Sequence, residues 1–426
     1  MKRIRQIFAI LTIGTSIISG LAYAEEAIIK TSKEGGYTLY VKNKPFLMKG
    51  VIYSPRPIGA GYDEDFFLDE KKPWLVDGKL MKEAGINCVR IYSVDSDLEK
   101  VKQFIKEMHD KYGIYTLASD WLGLWSYPGA NYADPEFQKQ TKERILKIIA
   151  ALKDEKGLLM WILGNENNYT FSGKIGFWTS PEIENLEEAQ RVMAKAEIYY
   201  KFINELVKEI KKIDKIHPVV MSNGEENYLN IAAKNCPDID ALGIIAYRGK
   251  TFAGLFRKVK SFFDKPLFLS EFGCDSYDAF KNIEDQDTQA KYLLSQWNEI
   301  YNSSTFSGQK DGNCLGGTIF EWTDEWWKHN EGYQPDWNIH NKEAGWSNGS
   351  YFNDVRAKDN LNMNEEWFGI AALSSEEKEV SWGTFYIDKR LPKTAYYALK
   401  DYFAKLPRTP LNKKVVPKPK KETKKK

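Results

Sequence analysis

Between Phe46 and Trp322 the chain alternates short apolar runs with longer amphipathic stretches. The runs read FLMKGVIY, INCVRIYS, IYTLASD, LLMWILGNE, HPVVMSN, IDALGIIAY, PLFLSEFG and CLGGTIFEW, eight in all. Each is rich in Ile, Val, Leu or aromatic residues and lacks strict alternation, the pattern of a strand buried on both faces. Helical patterns separate most of them. DGKLMKEAGIN precedes the second run, LEKVKQFIKEMHDKYG the third, and DPEFQKQTKERILKIIAALKDEKG the fourth, opening on Asp-Pro and stopping at Gly. Ser180 to Lys215 precedes the fifth, DTQAKYLLSQWNEIYNSS the eighth, and LPKTAYYALKDYFAKL closes the set.

Repeated strand–helix alternation implies parallel strands joined by right-handed crossovers. Eight repeats predict closure into a (β/α)8 TIM barrel, an α/β fold; an open doubly wound sheet is the alternative. YTLYVKNKPF before the first run predicts a hairpin turning at Lys42-Asn43-Lys44, covering the bottom of the barrel. Thr323 to Ser381 is aromatic, rich in Gly and Asn, and falls on the face where barrels build their sites. The domain plan is therefore a targeting segment over 1–24, a hairpin over 25–45, a barrel over 46–406 and a tail over 407–426.

The two ends differ from the body. MKRIRQ is a basic opening, IFAILTIGTSIISGL an apolar core, and AYA before Glu25 a small-residue cleavage site, which together predict an exported protein, periplasmic or secreted. From Lys413 onward the chain holds eight Lys and one Glu, the composition of a solvated segment that could touch anionic envelope polymers. Removing the tail's +7 and the leader's +3 from the formal +2 leaves about −8 on the body. That balance gives no nucleic-acid signal. The four His (His109, His217, His329, His340) lack metal-ligand spacing, and no glycine-rich phosphate loop follows a strand. No metal or organic cofactor is implied.

In such a barrel the chemistry gathers at the C-terminal strand ends. Those ends are Tyr53, Arg90, Asp120, Glu166, Asn223, Tyr247, Glu271 and Trp322. Two are Glu, on the fourth and seventh strands. Cleaving a glycosidic bond needs such a pair, one to protonate the leaving oxygen and one to attack the anomeric carbon or activate water. Trp121 beside Asp120, and Trp326 and Trp327 beyond Trp322, offer rings for sugar faces, although packing is an equal use for them.

GNE ending the fourth run and SEFG ending the seventh resemble the signatures of clan A glycoside hydrolases, retaining enzymes on (β/α)8 barrels. NCVRIYSVDSD is similar to that clan's second-strand Arg motif. PLFLSEFGC and KGVIYSP resemble family 72, the β-1,3-glucanosyltransferases, whereas KRLPKTAYYALKDYF and FEWTDEWW resemble the barrel of family 2. The family 2 β-sandwich is absent, and Ile245 stands where family 72 usually has Asn.

The resemblance implies Glu166 as general acid/base and Glu271 as nucleophile, with carboxyls about 5–5.5 Å apart for retention. It implies Asn165 on the sugar 2-hydroxyl, Arg90 favouring the ionised Glu271, Tyr247 hydrogen-bonding that nucleophile, and Trp322 as the floor under the reacting sugar. It also implies a Cys236–Cys274 disulfide; Cys88 reads as a buried thiol, and Cys314 is unassigned. The expected activity is a retaining β-glycosidase or transglycosylase on a β-linked glucan, working as a monomer on an oligo- or polysaccharide. The alternatives are an endo-mannanase, cellulase or exo-β-glycosidase of the same clan, and an inactive carbohydrate-binding protein on the same fold.

Overall fold

A computed structural model describes residues 26–126, 128–278, 281–328, 332–342 and 364–411. The expected leader and all of the tail beyond residue 411 lie outside the described residues.

Eight parallel strands close a barrel: β1 (Met48–Ile52), β2 (Cys88–Ile91), β3 (Tyr115–Asp120), β4 (Leu158–Leu163), β5 (Val219–Gly224), β6 (Ala241–Ile245), β7 (Leu267–Gly273) and β8 (Cys314–Phe320). Each pairs with its sequence neighbours, and β8 returns to β1 through Gly316 opposite Met48. Nearly every strand residue is buried, which is why the runs lack alternation.

Helices follow the strands: α1 (Trp74–Glu83), α2 (Leu98–Glu107), α3 (Pro135–Leu152), α4 (Glu188–Ile213), α5 (Leu229–Asn235), α6 (Leu255–Phe262), α7 (Gln286–Asn302) and α8 (Thr394–Lys405). Local chemistry sets their starts. Asp97 and Asp134 accept hydrogen bonds from the first-turn amides of α2 and α3, satisfying donors that have no partner within the helix. Their apolar faces pack onto the barrel through Val101, Phe104, Ile149, Tyr200, Leu206 and Trp297.

The predicted hairpin is present. Tyr37–Val41 pairs with Lys44–Pro45 across Lys42 and Asn43, both with positive φ, and the extra strand Ala27–Thr31 flanks it. Ala27, Leu39 and Val41 pack on Met48, Cys88, Leu117 and Leu315, at the N-terminal end of the barrel. Beyond β8 the chain forms a hairpin that the pattern did not suggest, Ala371–Val380 against Tyr386–Pro392.

Cys236 and Cys274 are both buried thiols, so the disulfide implied by resemblance is not formed. The reason is topological. Cys236 precedes β6 and packs in the helix layer, while Cys274 follows β7 and packs with Ile52, Phe320 and Phe368. Parallel strands put these positions at opposite ends of the barrel.

Candidate active site

The apolar run of β4 ends in a backbone device. Gly164 has φ +75°, and a Cβ there would lie 2.6 Å from both Asn167 Oδ1 and Tyr199 Oη. Its amide donates to the Asp120 carbonyl at 2.8 Å, and the Asn165 amide donates to Asn167 Oδ1 at 2.6 Å. Glu166 itself takes a left-handed φ of +58°, a conformation that a non-glycine residue adopts at some cost. Such outliers cluster at working sites, and here the outlier is the carboxylate at the strand mouth.

Across the barrel, Glu271 near the end of β7 is held by three donors. Tyr247 Oη donates to its Oε1 at 2.6 Å, and Tyr92 Oη donates to Oε2 at 2.8 Å. Arg90 Nη1 reaches Oε2 at 3.4 Å and donates to the Ser270 carbonyl at 2.7 Å. Arg90 Nη2 donates to Asn165 Oδ1 at 2.6 Å, so one guanidinium ties the β4 loop to β7. Arg90 is fully buried, and its charge faces the partly dry Glu271.

The electrostatics separate the two carboxyls. Burial, with the Glu271 charge second, pushes Glu166 up to about 8, while Lys174 and Arg90 pull it down and Glu365 adds to the rise. Glu166 is therefore protonated at neutral pH. Burial and the Glu271 charge also push Tyr92 and Tyr247 well above the ordinary tyrosine range, so both keep the protons they donate.

Most expected site residues converge: Glu166, Glu271, Arg90, Asn165 and Tyr247 share one hydrogen-bonded and electrostatic cluster. Trp121 lies beside it, its ring 4.8 Å from Tyr92 and within 17° of parallel. Asn167 Nδ2 donates to the Trp121 carbonyl at 3.0 Å, tying this wall to the β4 loop.

Four expectations need correction. Tyr53 points into the helix layer, where its ring meets Phe66 and Phe104 and its hydroxyl donates to Asp77 Oδ2 at 2.8 Å. Asp120 accepts both Arg144 Nη atoms at 2.6 and 2.8 Å and the Leu122 amide at 2.7 Å, so it braces the Trp121 loop against α3. Trp322 is 1% exposed and packs near Tyr396 of α8. The aromatics beside Tyr247 are instead Phe368 and Phe320, edge-on at 5.6 and 6.2 Å. Trp326 stacks on His340 at 4.7 Å, and His340 stacks on Trp367 at 3.5 Å, so its ring anchors a loop. Asn223, another strand end, is likewise structural, accepting from Tyr200 Oη at 2.9 Å.

Tyr92 and Phe320 were missed. Tyr92 had a readable signal, because residues two apart on a strand share a face and Arg90 already pointed inward. Among the described residues no group of His, Cys, Asp or Glu could hold a metal ion.

A closed eight-stranded parallel barrel, with a glutamate just beyond β4 that feels the charge of a triply held glutamate on β7, defines the glycoside-hydrolase barrel class. Residues 23–325 match the glucanosyltransferase family, glycoside hydrolase family 72, and the chain belongs to it. Among curated relatives, 1,3-beta-glucanosyltransferase gas4 of Schizosaccharomyces pombe is 25% identical over 75% of this chain and 65% of its own length. A beta-galactosidase of Leuconostoc mesenteroides is 28% identical over 32% of this chain and 12% of its own. The chain thus spans less than two-thirds of the glucanosyltransferase it matches. Among solved structures, beta-D-glucuronidase of Dictyoglomus thermophilum superposes with a TM-score of 0.53 at 16% identity, covering 90% of this chain and 54% of that one. Bacteroides uniformis beta-glucuronidase gives 0.55 at 16%, covering 88% and 37%. These two likenesses concern the fold.

Proposed function

We propose that this protein is an exported retaining β-glucan transglycosylase, with Glu271 as nucleophile and Glu166 as general acid and then base. The observation that carries the reading is the asymmetry of the pair: both oxygens of Glu271 accept hydrogen bonds, while burial keeps Glu166 protonated. A carboxylate held that way can attack an anomeric carbon, and the protonated partner can release the leaving oxygen. The covalent glycosyl–enzyme bond then removes the Glu271 charge. With that charge gone, Glu166 ionises more readily and takes the proton of an incoming sugar hydroxyl, whose oxygen displaces Glu271. In this reading Asn165 hydrogen-bonds the sugar 2-hydroxyl and Trp121 stacks beside it, supported by the Arg90–Asn165 hydrogen bond and the Tyr92–Trp121 stack.

Transfer rather than hydrolysis is supported by the family and by the 1,3-beta-glucanosyltransferases among its relatives. Export is supported by the first 24 residues of the sequence. Among the described residues no helix is long and apolar enough to cross a membrane. The Lys-rich tail is suited to anionic envelope polymers.

The experiment is product analysis on β-1,3-gluco-oligosaccharides of defined length, for the wild type, Glu166→Gln and Glu271→Gln. Products longer than the substrate, lost in both variants, are the expected result. Shorter products alone would mean hydrolysis. Turnover that survives Glu271→Gln undiminished would refute the mechanism.

A further inference from the structure

The loop after β4 carries more than Glu166. Tyr169 lies one turn further on, its amide donating to the Glu166 carbonyl at 2.9 Å. Its ring crosses the end of β5 so closely that a Cβ at Gly224 would meet the ring at 2.6 Å and the hydroxyl at 2.9 Å. Lys174 Nζ stands over the same ring, 4.3 Å from its centre. Tyr169 is half-buried, and its hydroxyl has no hydrogen-bond partner among the described residues. Burial and then the Glu166 charge push that hydroxyl upward, with Glu225 and Glu271 adding less and Arg248 opposing them. Of the charges around it, Glu166 acts on it most.

Further along the loop, Phe177 is 75% exposed although its neighbour Trp178 is buried. Trp178 Nε1 donates to Thr170 Oγ1 at 2.8 Å, and that hydroxyl donates to the Asn167 carbonyl at 2.7 Å. These bonds fold the loop back onto the turn Asn167–Thr170 that follows Glu166. Lys195 of α4 packs against both rings, its Nζ 5.0 Å from the centre of Phe177 and 5.4 Å from that of Trp178. It is 6% exposed and has neither an ion-pair partner nor a hydrogen-bond acceptor among the described residues. A buried ammonium without an acceptor is unfavourable by itself. The catalytic scheme above uses none of Tyr169, Phe177 and Lys195.

The chemistry says which sugar this loop would meet. Glu166 protonates the leaving oxygen, so the departing sugar lies on its side of the scissile bond, and the acceptor later enters from that side. Tyr169 adjoins Glu166, whereas Glu271 is held by Tyr247, Tyr92 and Arg90.

We propose that the β4 loop binds the acceptor chain: the Tyr169 hydroxyl bonds the sugar that enters beside Glu166, while Phe177 stacks a sugar further along and Lys195 donates to one of its hydroxyls. This rests on the glycoside-transfer reading given above. An open aromatic face suits the C–H face of a pyranose, and a hydrogen bond from an ammonium to a sugar hydroxyl is charge-assisted.

The test compares wild type, Tyr169→Phe, Phe177→Ala, Lys195→Met and Lys195→Arg in the full chain, each checked by thermal melting. One β-1,3-gluco-oligosaccharide serves as donor, with a ladder of β-1,3-linked acceptors from glucose upward. The reading is the acceptor concentration that gives half-maximal transfer. Tyr169→Phe should raise it roughly twofold to tenfold for every acceptor. Phe177→Ala and Lys195→Met should raise it by a similar factor for the longer acceptors alone, so that the advantage of length disappears. Lys195→Arg should recover part of what Lys195→Met loses. If Lys195→Met fails to fold, the exposed Phe177→Ala carries that end of the loop. An unchanged acceptor dependence in Tyr169→Phe or Phe177→Ala, or a loss in Phe177→Ala that ignores length, would overturn the proposal. If the wild type only shortens its substrate, the transfer reading falls; the same variants then decide the loop through KM for substrates whose leaving chain is lengthened. If it neither turns over nor binds any glycoside, both fall.

Discussion

The ring of Tyr92 lies parallel to that of Trp121 at 4.8 Å while its hydroxyl donates to Glu271 Oε2 at 2.8 Å. One side chain thus joins the Trp121 ring to the carboxylate proposed as nucleophile. Tyr92→Phe keeps the stack and removes the hydrogen bond. Hydrogen bonds to charged groups contribute about 1.5–3 kcal/mol, so kcat/KM should fall roughly tenfold to a hundredfold with little loss of stability. Initial-rate kinetics beside a melting curve check this, and an unchanged rate would remove Tyr92 from the machinery.

The Glu166 carboxyl sits at about 8 in the folded protein against an ordinary 4.5. Glycosylation needs its protonated form, so the basic limb of kcat/KM should fall near that value. The same shift governs stability, because the folded chain holds the proton more tightly than the unfolded one. This contribution is fully present below the ordinary value and is lost as pH rises through the interval up to about 8. Glu166→Gln should then melt higher than wild type at pH 8 and above, with the gap closing toward acid. A pH series of melts reads this directly.

Tyr53→Phe and Trp322→Phe address the corrected positions. Tyr53 donates to Asp77, which also accepts from Arg390 Nε at 2.8 Å, so removing the hydroxyl leaves Asp77 paired. A loss of about 1 kcal/mol in stability is expected, with kcat/KM unchanged. Trp322→Phe opens space in a packed core and should cost about 1–3 kcal/mol without a specific kinetic defect. Denaturant titration checks both; a large fall in kcat alone would return either residue to the site.

Cys88, Cys236, Cys274 and Cys314 are buried thiols, and burial pushes Cys88, Cys236 and Cys314 upward from the ordinary thiol range. Disruption of the fold should release four titratable thiols, and the native protein should release none at neutral pH. A reductant should leave the melting temperature unchanged. Fewer than four thiols after denaturation without reductant would point to a bridge.

Much of this was legible because a strand buried on both faces is a conspicuous run, and the two glutamates interrupt such runs where a barrel places its chemistry. What failed was the sidedness of the ends. Val51 and Tyr53 share the helix-facing cluster while Ile52 faces Phe320 and Phe368, so counting by twos along β1 puts Tyr53 outside. The same count along β3 sends Asp120 outward with Ala118. Trp322 falls after the strand has ended, where parity no longer applies, and Phe320 inside the strand takes the inward place.

The three donors on Glu271 come from strands that are not its own: Arg90 from β2, Tyr92 just beyond it, and Tyr247 just beyond β6. Once its backbone is fixed, a carboxylate retains rotation about its side-chain bonds, and donors on both oxygens from opposite sides remove most of it. In the proposed mechanism the attacking lone pair is thereby aimed before any sugar arrives. Closing the barrel is the step that aims it, so each catalytic cycle begins with that orientation already made.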